Sequence, residues 1–252
     1  MTEPMVWDDA RPFLFEGNST GVLVIHGFTG CPQSLLPYGK ALAARGYTVR
    51  GPRLPGHGTR VEDLAFRKYT EWTGEAEGAL RELKVKCERI FVTGLSMGGT
   101  IALTLAAQYG DQIAGVIPIN APALTDPLLR MAPLLKTLVK TRPGVGSDIK
   151  NSEHKESCYD RVPVSAASEL TKLLKVIRAI LPRVRVPALV MASREDHVVR
   201  EPANADYIMT HLGSKDKEML WLENSYHVAT LDNDMELIFE QAGRFIEKHS
   251  KG

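Results

Sequence analysis

The chain has 252 residues, 44% of them apolar and 24% charged, with a formal net charge of +1. This is the composition of a globular protein with ample material for a core. Charges of both signs are scattered, which excludes a basic tract for nucleic acid and an acidic tail and leaves small, neutral molecules as the expected partners.

The N-terminal segment MTEPMVWDDARPFLFEG carries early acids and no apolar run of signal-peptide length, and no stretch of about 18 apolar residues occurs to span a membrane. Three widely spaced cysteines, Cys31, Cys87 and Cys158, form no CxxC and read as reduced, inert thiols of a cytoplasmic protein. From residue 21 onward, apolar runs alternate with helical patterns. GVLVIH (21–26) is continuous, as expected of a strand buried on both faces, and PQSLLPYGKALAARG (32–46) follows as a helix ending at Gly46. The series continues with strand YTVRG, helix EWTGEAEGALRELKVKC, strand IFVTG, helix MGGTIALTLAAQYG and strand GVIPIN. After a long interruption come strands PALVMAS and EMLWLE, then a helix near 233–248 with Met235, Ile238, Phe239, Ala242, Phe245 and Ile246 on one face. Short strands alternating with amphipathic helices predict an α/β fold, a mainly parallel sheet covered by helices on both faces. No internal repeat or low-complexity segment is present.

The interruption separates Asn120 from Pro187. Its leucine-rich runs, PLLRMAPLLKTLVK and ELTKLLKVIRAILP, flank the polar GSDIKNSEHKESCYDR. A structureless loop of that length is improbable inside a compact domain. The expectation is one domain over 1–252, with residues 121–186 as a small helical insertion. The insertion is either additional core or a cap over a pocket.

Ligands bind beyond the carboxyl ends of parallel strands, and three reactive side chains follow three separate strands: Ser96 after IFVTG, Asp196 after PALVMAS and His227 after EMLWLE. Ser96 occupies a G-x-S-x-G between strand and helix, where a strained turn demands small flanking residues. Its alternative role is capping the helix. His227 is the expected base and Asp196 the partner of its imidazole. Glu195 is a chemical substitute for Asp196, His197 a weaker rival base, and Asp232 a candidate cap for the last helix. The Met97 amide at the helix start and the Phe28 amide in HGFTG are expected to hold an oxyanion. His26 and His57 read as structural. No HExxH, clustered Cys/His spacing or EF-hand loop suggests a metal, and neither a P-loop nor G-x-G-x-x-G suggests a nucleotide.

The segments VLVIHGFTG, PRLPGHGT, FVTGLSMGGT, SREDHVV and NSYHVATLD resemble the bacterial monoacylglycerol lipases of the α/β-hydrolase superfamily and the related small carboxylesterases, over nearly the whole chain. GSDIKN is more similar to the lipase group. The resemblance implies a Ser96–Asp196–His227 triad, oxyanion amides from Phe28 and Met97, a cap, and hydrolysis of a monoglyceride to glycerol and fatty acid without a cofactor. The leucines of the insertion suit an aliphatic chain. Glu156 in its polar middle, and more weakly Asn120 at a strand end, are candidates to contact glycerol, against the reading of Glu156 as a solvated surface acid. An apolar cap would also allow transient contact with a lipid surface. A carboxylesterase of short acyl esters is the enzymatic alternative, and a ligand-binding relative that keeps the fold is the non-enzymatic one. Dehalogenation is disfavoured because that chemistry needs a carboxylate where Ser96 stands.

Overall fold

A computed structural model describes residues 4–125, 129 and 131–250. Seven strands make the main sheet: β1 (Phe13–Phe15), β2 (Thr20–Ile25), β3 (Thr48–Gly51), β4 (Arg89–Leu95), β5 (Gly115–Ile119), β8 (Ala188–Ser193) and β9 (Lys217–Leu222). Their order is β1-β3-β2-β4-β5-β8-β9, antiparallel only at the β1–β3 pair. The α/β architecture expected from the alternating pattern is therefore present, with each anticipated strand within a residue or so of its expected limits.

Strand periodicity explains the continuous apolar runs. Leu23 and Ile25 face one core layer, with Val92 and Val116, while Val22 and Val24 face the other, with Phe91, Ile117 and Ile119. The first layer is closed by α3 (Tyr69–Lys86) and α4 (Met97–Gln108), the second by α1 (Leu36–Ala44) and α8 (Met235–Ser250). The predicted helix over 32–46 divides into a 3-10 turn, Pro32–Leu35, and α1, whose Pro37 lies in the first turn where a missing N–H costs nothing. Outside the insertion, three strands or helices escaped the sequence pattern: β1, the five-residue α2 (Val61–Ala65) and α7 (Ala203–His211).

The insertion is not purely helical. It contains α5 (Ala132–Leu135), an antiparallel pair β6 (Thr141–Pro143) and β7 (Arg161–Pro163), and α6 (Val164–Ile180). Two prolines and three-residue lengths hide this pair in the sequence. The first leucine-rich run begins at residues 127, 128 and 130, which lie outside the described residues. Helix α6 buries Leu170, Leu173, Leu174 and Ile177 in the main core. Among the described residues no helix is long and apolar enough to cross a membrane.

Register positions the site. Ile25 pairs with Gly94, Leu95 with Ile119, Ile119 with Met191, and Ser193 with Leu222. The strands consequently end along one edge, and the loops after β2, β4, β5, β8 and β9 meet there.

Candidate active site

Ser96 follows β4 and precedes α4 with φ of 55° and ψ of −124°, a backbone conformation that L side chains rarely adopt. The fold leaves no alternative, because a Cβ at Gly98 would strike the carbonyl oxygens of Ile25 and His26, and one at Gly94 would strike Gly98. The Ser96 N–H donates to Ile119 O at 2.8 Å, which pins the turn to β5. Its hydroxyl makes no capping bond to the helix. Instead Oγ stands 2.9 Å from His227 Nε2, and His227 Nδ1 stands 2.7 Å from Asp196 Oδ2. Asp196 Oδ1 accepts the Val198 and Val199 N–H groups at 2.7 and 2.8 Å. With Nδ1 protonated toward Asp196, Nε2 is free to accept the hydroxyl proton.

The electrostatics favour a basic imidazole. Burial alone pushes His227 down, but the charge and hydrogen bond of Asp196, helped by Glu156 and Asp148, carry it above the ordinary histidine value. The Asp196 side chain is 0% exposed, so its charge acts in a low dielectric, where it counts most.

The loop after β2 lies against Ser96: a Cβ on Gly27 would be 3.3 Å from Ser96 Cβ. His26 locks that loop, donating from Nδ1 to Gly27 O at 2.9 Å and accepting the Leu54 N–H on Nε2 at 3.0 Å. Burial holds His26 well below the usual histidine value and thus neutral, as those two bonds require. His57 is likewise buried, pushed down to about 4, with Nδ1 on Pro55 O at 3.1 Å. Among the described residues, the Phe28 and Met97 amides, the expected oxyanion donors, give no hydrogen bond to a carbonyl outside regular structure. Gly27, Phe28, Ser96 and His227 line one cavity of about 580 Å³.

The remaining expected residues divide. Glu156 also lines that cavity and is only 9% exposed, so it is no solvated surface acid. Its Oε1 would lie 2.5 Å from a Cβ at Gly30, so only glycine leaves it room. Burial lifts its carboxyl to about 7, although His227, Ser34 and Cys158 pull the other way. Asn120 must be corrected as a substrate contact. It is fully buried and absent from the cavity wall; its Nδ2 donates to His227 O at 2.7 Å and its Oδ1 accepts the Ser193 N–H at 2.7 Å. Its short polar side chain tolerates the φ of 45° that this strand end imposes. Asn120 braces the His227 loop.

The rivals fall away by geometry. His197 is exposed and binds Asp148 rather than Ser96, and Glu195 binds Lys150 Nζ at 3.0 and 3.1 Å. Contrary to the sequence expectation, Asp232 does not cap the last helix with its carboxylate. Its carboxylate accepts the amides of Lys150, Asn151, Tyr226 and Asn233, joining the insertion to the His227 loop. Burial pushes the Cys31 and Cys158 thiols up to about 12, so both remain unreactive near neutrality. Sequence reasoning missed Asp148 and Asp232 as braces; the signals were GSDIKN in the insertion for Asp148 and the end of NSYHVATLD for Asp232.

A family model described as Hydrolase_4, serine aminopeptidase, S33, matches residues 18–234. The chain is 43% identical over 249 residues to a thermostable monoacylglycerol lipase of Bacillus sp. (strain H-257), covering 97% of each. It is 29% identical over 240 residues to a carboxylesterase of Bacillus subtilis (strain 168), covering 94% of this chain and 96% of the relative. A solved structure from work on the metagenome-derived lipolytic enzymes LipS and LipT superposes with a TM-score of 0.94 at 46% identity, covering 97% of this chain and all of that one. Sequence, sheet order and the turn at Ser96 agree: the chain has the α/β-hydrolase fold and belongs to the Hydrolase_4 (serine aminopeptidase, S33) family.

Proposed function

We propose that this protein hydrolyses monoacylglycerols to glycerol and fatty acid, through a serine acyl-enzyme and without a cofactor. The observation that carries the reading is the chain of contacts from Asp196 through His227 to Ser96 at the wall of a cavity shared with Glu156. The 43% identical lipase supports the substrate class.

Ser96 Oγ attacks the ester carbonyl as its proton passes to His227 Nε2, and Asp196 stabilises the imidazolium. The amides of Phe28 and Met97 hold the tetrahedral oxyanion. His227 then protonates the departing glycerol oxygen, leaving the acyl group on Ser96. Water, activated by the same imidazole, releases the fatty acid and restores the serine. Residues 121–186 act as a cap: Leu129, Leu170 and Leu174 line the cavity with apolar surface for the acyl chain, which gains about 0.8 kcal/mol per buried methylene. Glu156, poised near neutrality, serves the glycerol hydroxyls as donor or acceptor. The exposed leucines of the cap touch lipid aggregates transiently, and the protein works in the cytoplasm.

The test is a hydrolysis screen over mono-, di- and triglycerides and nitrophenyl esters of graded length, with Ser96→Ala as control. Monoglycerides with long chains should lead, Ser96→Ala should fall by about 10⁴-fold or more, and a fluorophosphonate should label Ser96. A preference for short nitrophenyl esters would favour the carboxylesterase reading suggested by the 29% identical relative. Substantial activity in Ser96→Ala would end the serine mechanism.

A further inference from the structure

Asp148 sits in the insertion, 79 positions before His227. Its Oδ2 accepts the His227 backbone N–H at 3.1 Å, and its carbonyl accepts the Val228 N–H at 3.0 Å. Its Oδ1 stands 2.9 Å from His197 Nδ1, one residue beyond Asp196. A single residue of the insertion therefore bonds consecutive amides of the loop that carries the imidazole, and also bonds the loop that carries the imidazole's partner. The Asp148 side chain is 13% exposed, so these bonds face little competition from water.

We propose that Asp148 is a positioning residue: it clamps the backbone at His227 and Val228 so that the imidazole stays between Ser96 and Asp196, and its negative charge favours the imidazolium. The proposal rests on the reading of His227 as the base. A loop residue has no ladder of strand bonds to fix it, and a misplacement of about 1 Å at a reacting group can cost about a hundredfold in rate. The clamp also makes the seating of the insertion a condition of catalysis, since the residue that holds the base belongs to the segment that covers it.

The charged groups facing the imidazole are Asp196, Glu156 and Asp148, with Glu201 from the loop before α7. His197 faces Asp148 itself, and Asp232 lies on the imidazole's own loop, bound to the Tyr226 N–H. The first four groups are carboxylates; Arg142 and Arg200 also line the cavity that His227 lines. Removing one of these carboxylates lowers the pKa of His227, and the acid limb of kcat/KM moves to lower pH.

Two variants separate the clamp from the charge. Asp148→Asn keeps an oxygen for the His227 N–H and removes the charge; Asp148→Ala removes the charge and the side-chain bond to His227, leaving only the main-chain bond to Val228. Each is assayed on a soluble short-chain nitrophenyl ester across the pH range in which histidine titrates. For Asp148→Asn, plateau kcat should stay within about threefold and the acid limb should fall by about 0.3 to 1 pH unit. For Asp148→Ala, kcat should fall by about 10- to 100-fold, with KM changed by less than about twofold. An unmoved limb in Asp148→Asn, or intact kcat in Asp148→Ala, overturns the proposal. If Asp148→Ala does not fold, the limb of Asp148→Asn decides. His227→Ala, run beside them, keeps the two readings apart: activity retained there refutes the base, whereas activity lost there with an unmoved limb refutes Asp148 alone.

Discussion

The main sheet and the insertion are both rich in aliphatic residues, but they use them differently. Every residue of β5 and β8 is buried, whereas the insertion leaves Leu134, Leu138 and Val145 at 68%, 82% and 60% exposure. The sheet is a packed object whose strand ends cannot shift without breaking register, and the loops that carry Ser96, Asp196 and His227 leave from those ends. The insertion is held to that edge by polar ties, Asp148 to His227 and Asp232 to Lys150 and Asn151, and otherwise presents apolar side chains to the cavity or to water. On the proposed function, the sheet edge carries the chemistry and the insertion the contact with substrate.

The sharpest test of that division is Asp196→Asn. An asparagine fits the space but presents the wrong group to Nδ1, so kcat should drop by about 10⁴-fold while the melting temperature holds, as stopped assays and calorimetry would read. Next, Gly98→Ala drives a methyl into the carbonyls of Ile25 and His26; chemical denaturation should show a loss of about 2–4 kcal/mol. The pH profile is a third measure. Because His227 titrates above its ordinary value, kcat/KM should fall on acidification with a midpoint above about 6.5. Stability runs the other way: the stabilisation from protonated His227 is complete below the unfolded value and is lost as pH rises through the folded one. An acid limb below about 6 would break this account. Smallest of all, Leu138→Ser should change stability by no more than about 0.5 kcal/mol. It should nonetheless lower the rate on dispersed monoglyceride relative to a soluble ester. Equal rates would mean that the exposed leucines do not touch lipid.

The legible parts of the molecule were those whose pattern is local. GVLVIH reads as a strand because both faces of β2 are covered, and G-x-S-x-G reads as a turn because the strain and its glycines lie within five residues. Helix α7 was missed because ANADYIMTH buries only three residues, Asn204, Ala205 and Ile208, too few to make a stripe. The β6–β7 pair was missed because each strand is three residues long and ends in a proline, too short to show an alternating pattern. The bracing groups were illegible for another reason. Asn120 meets His227 across 107 positions and Asp148 meets it across 79, and nothing in the composition around a lone Asn or Asp announces such a partner. Glu156 was legible as a polar candidate for a glycerol contact but its burial was not, because that depends on a glycine 126 positions earlier, Gly30.

The left-handed backbone at Ser96 means that the enzyme is less durable than its sequence could make it. A non-glycine residue held there costs about 1–3 kcal/mol, so Ser96→Gly should give an inert protein that outlasts its parent on heating. On the proposed mechanism, the strained turn is a concession to reactivity: it holds the hydroxyl where durability alone would favour its loss.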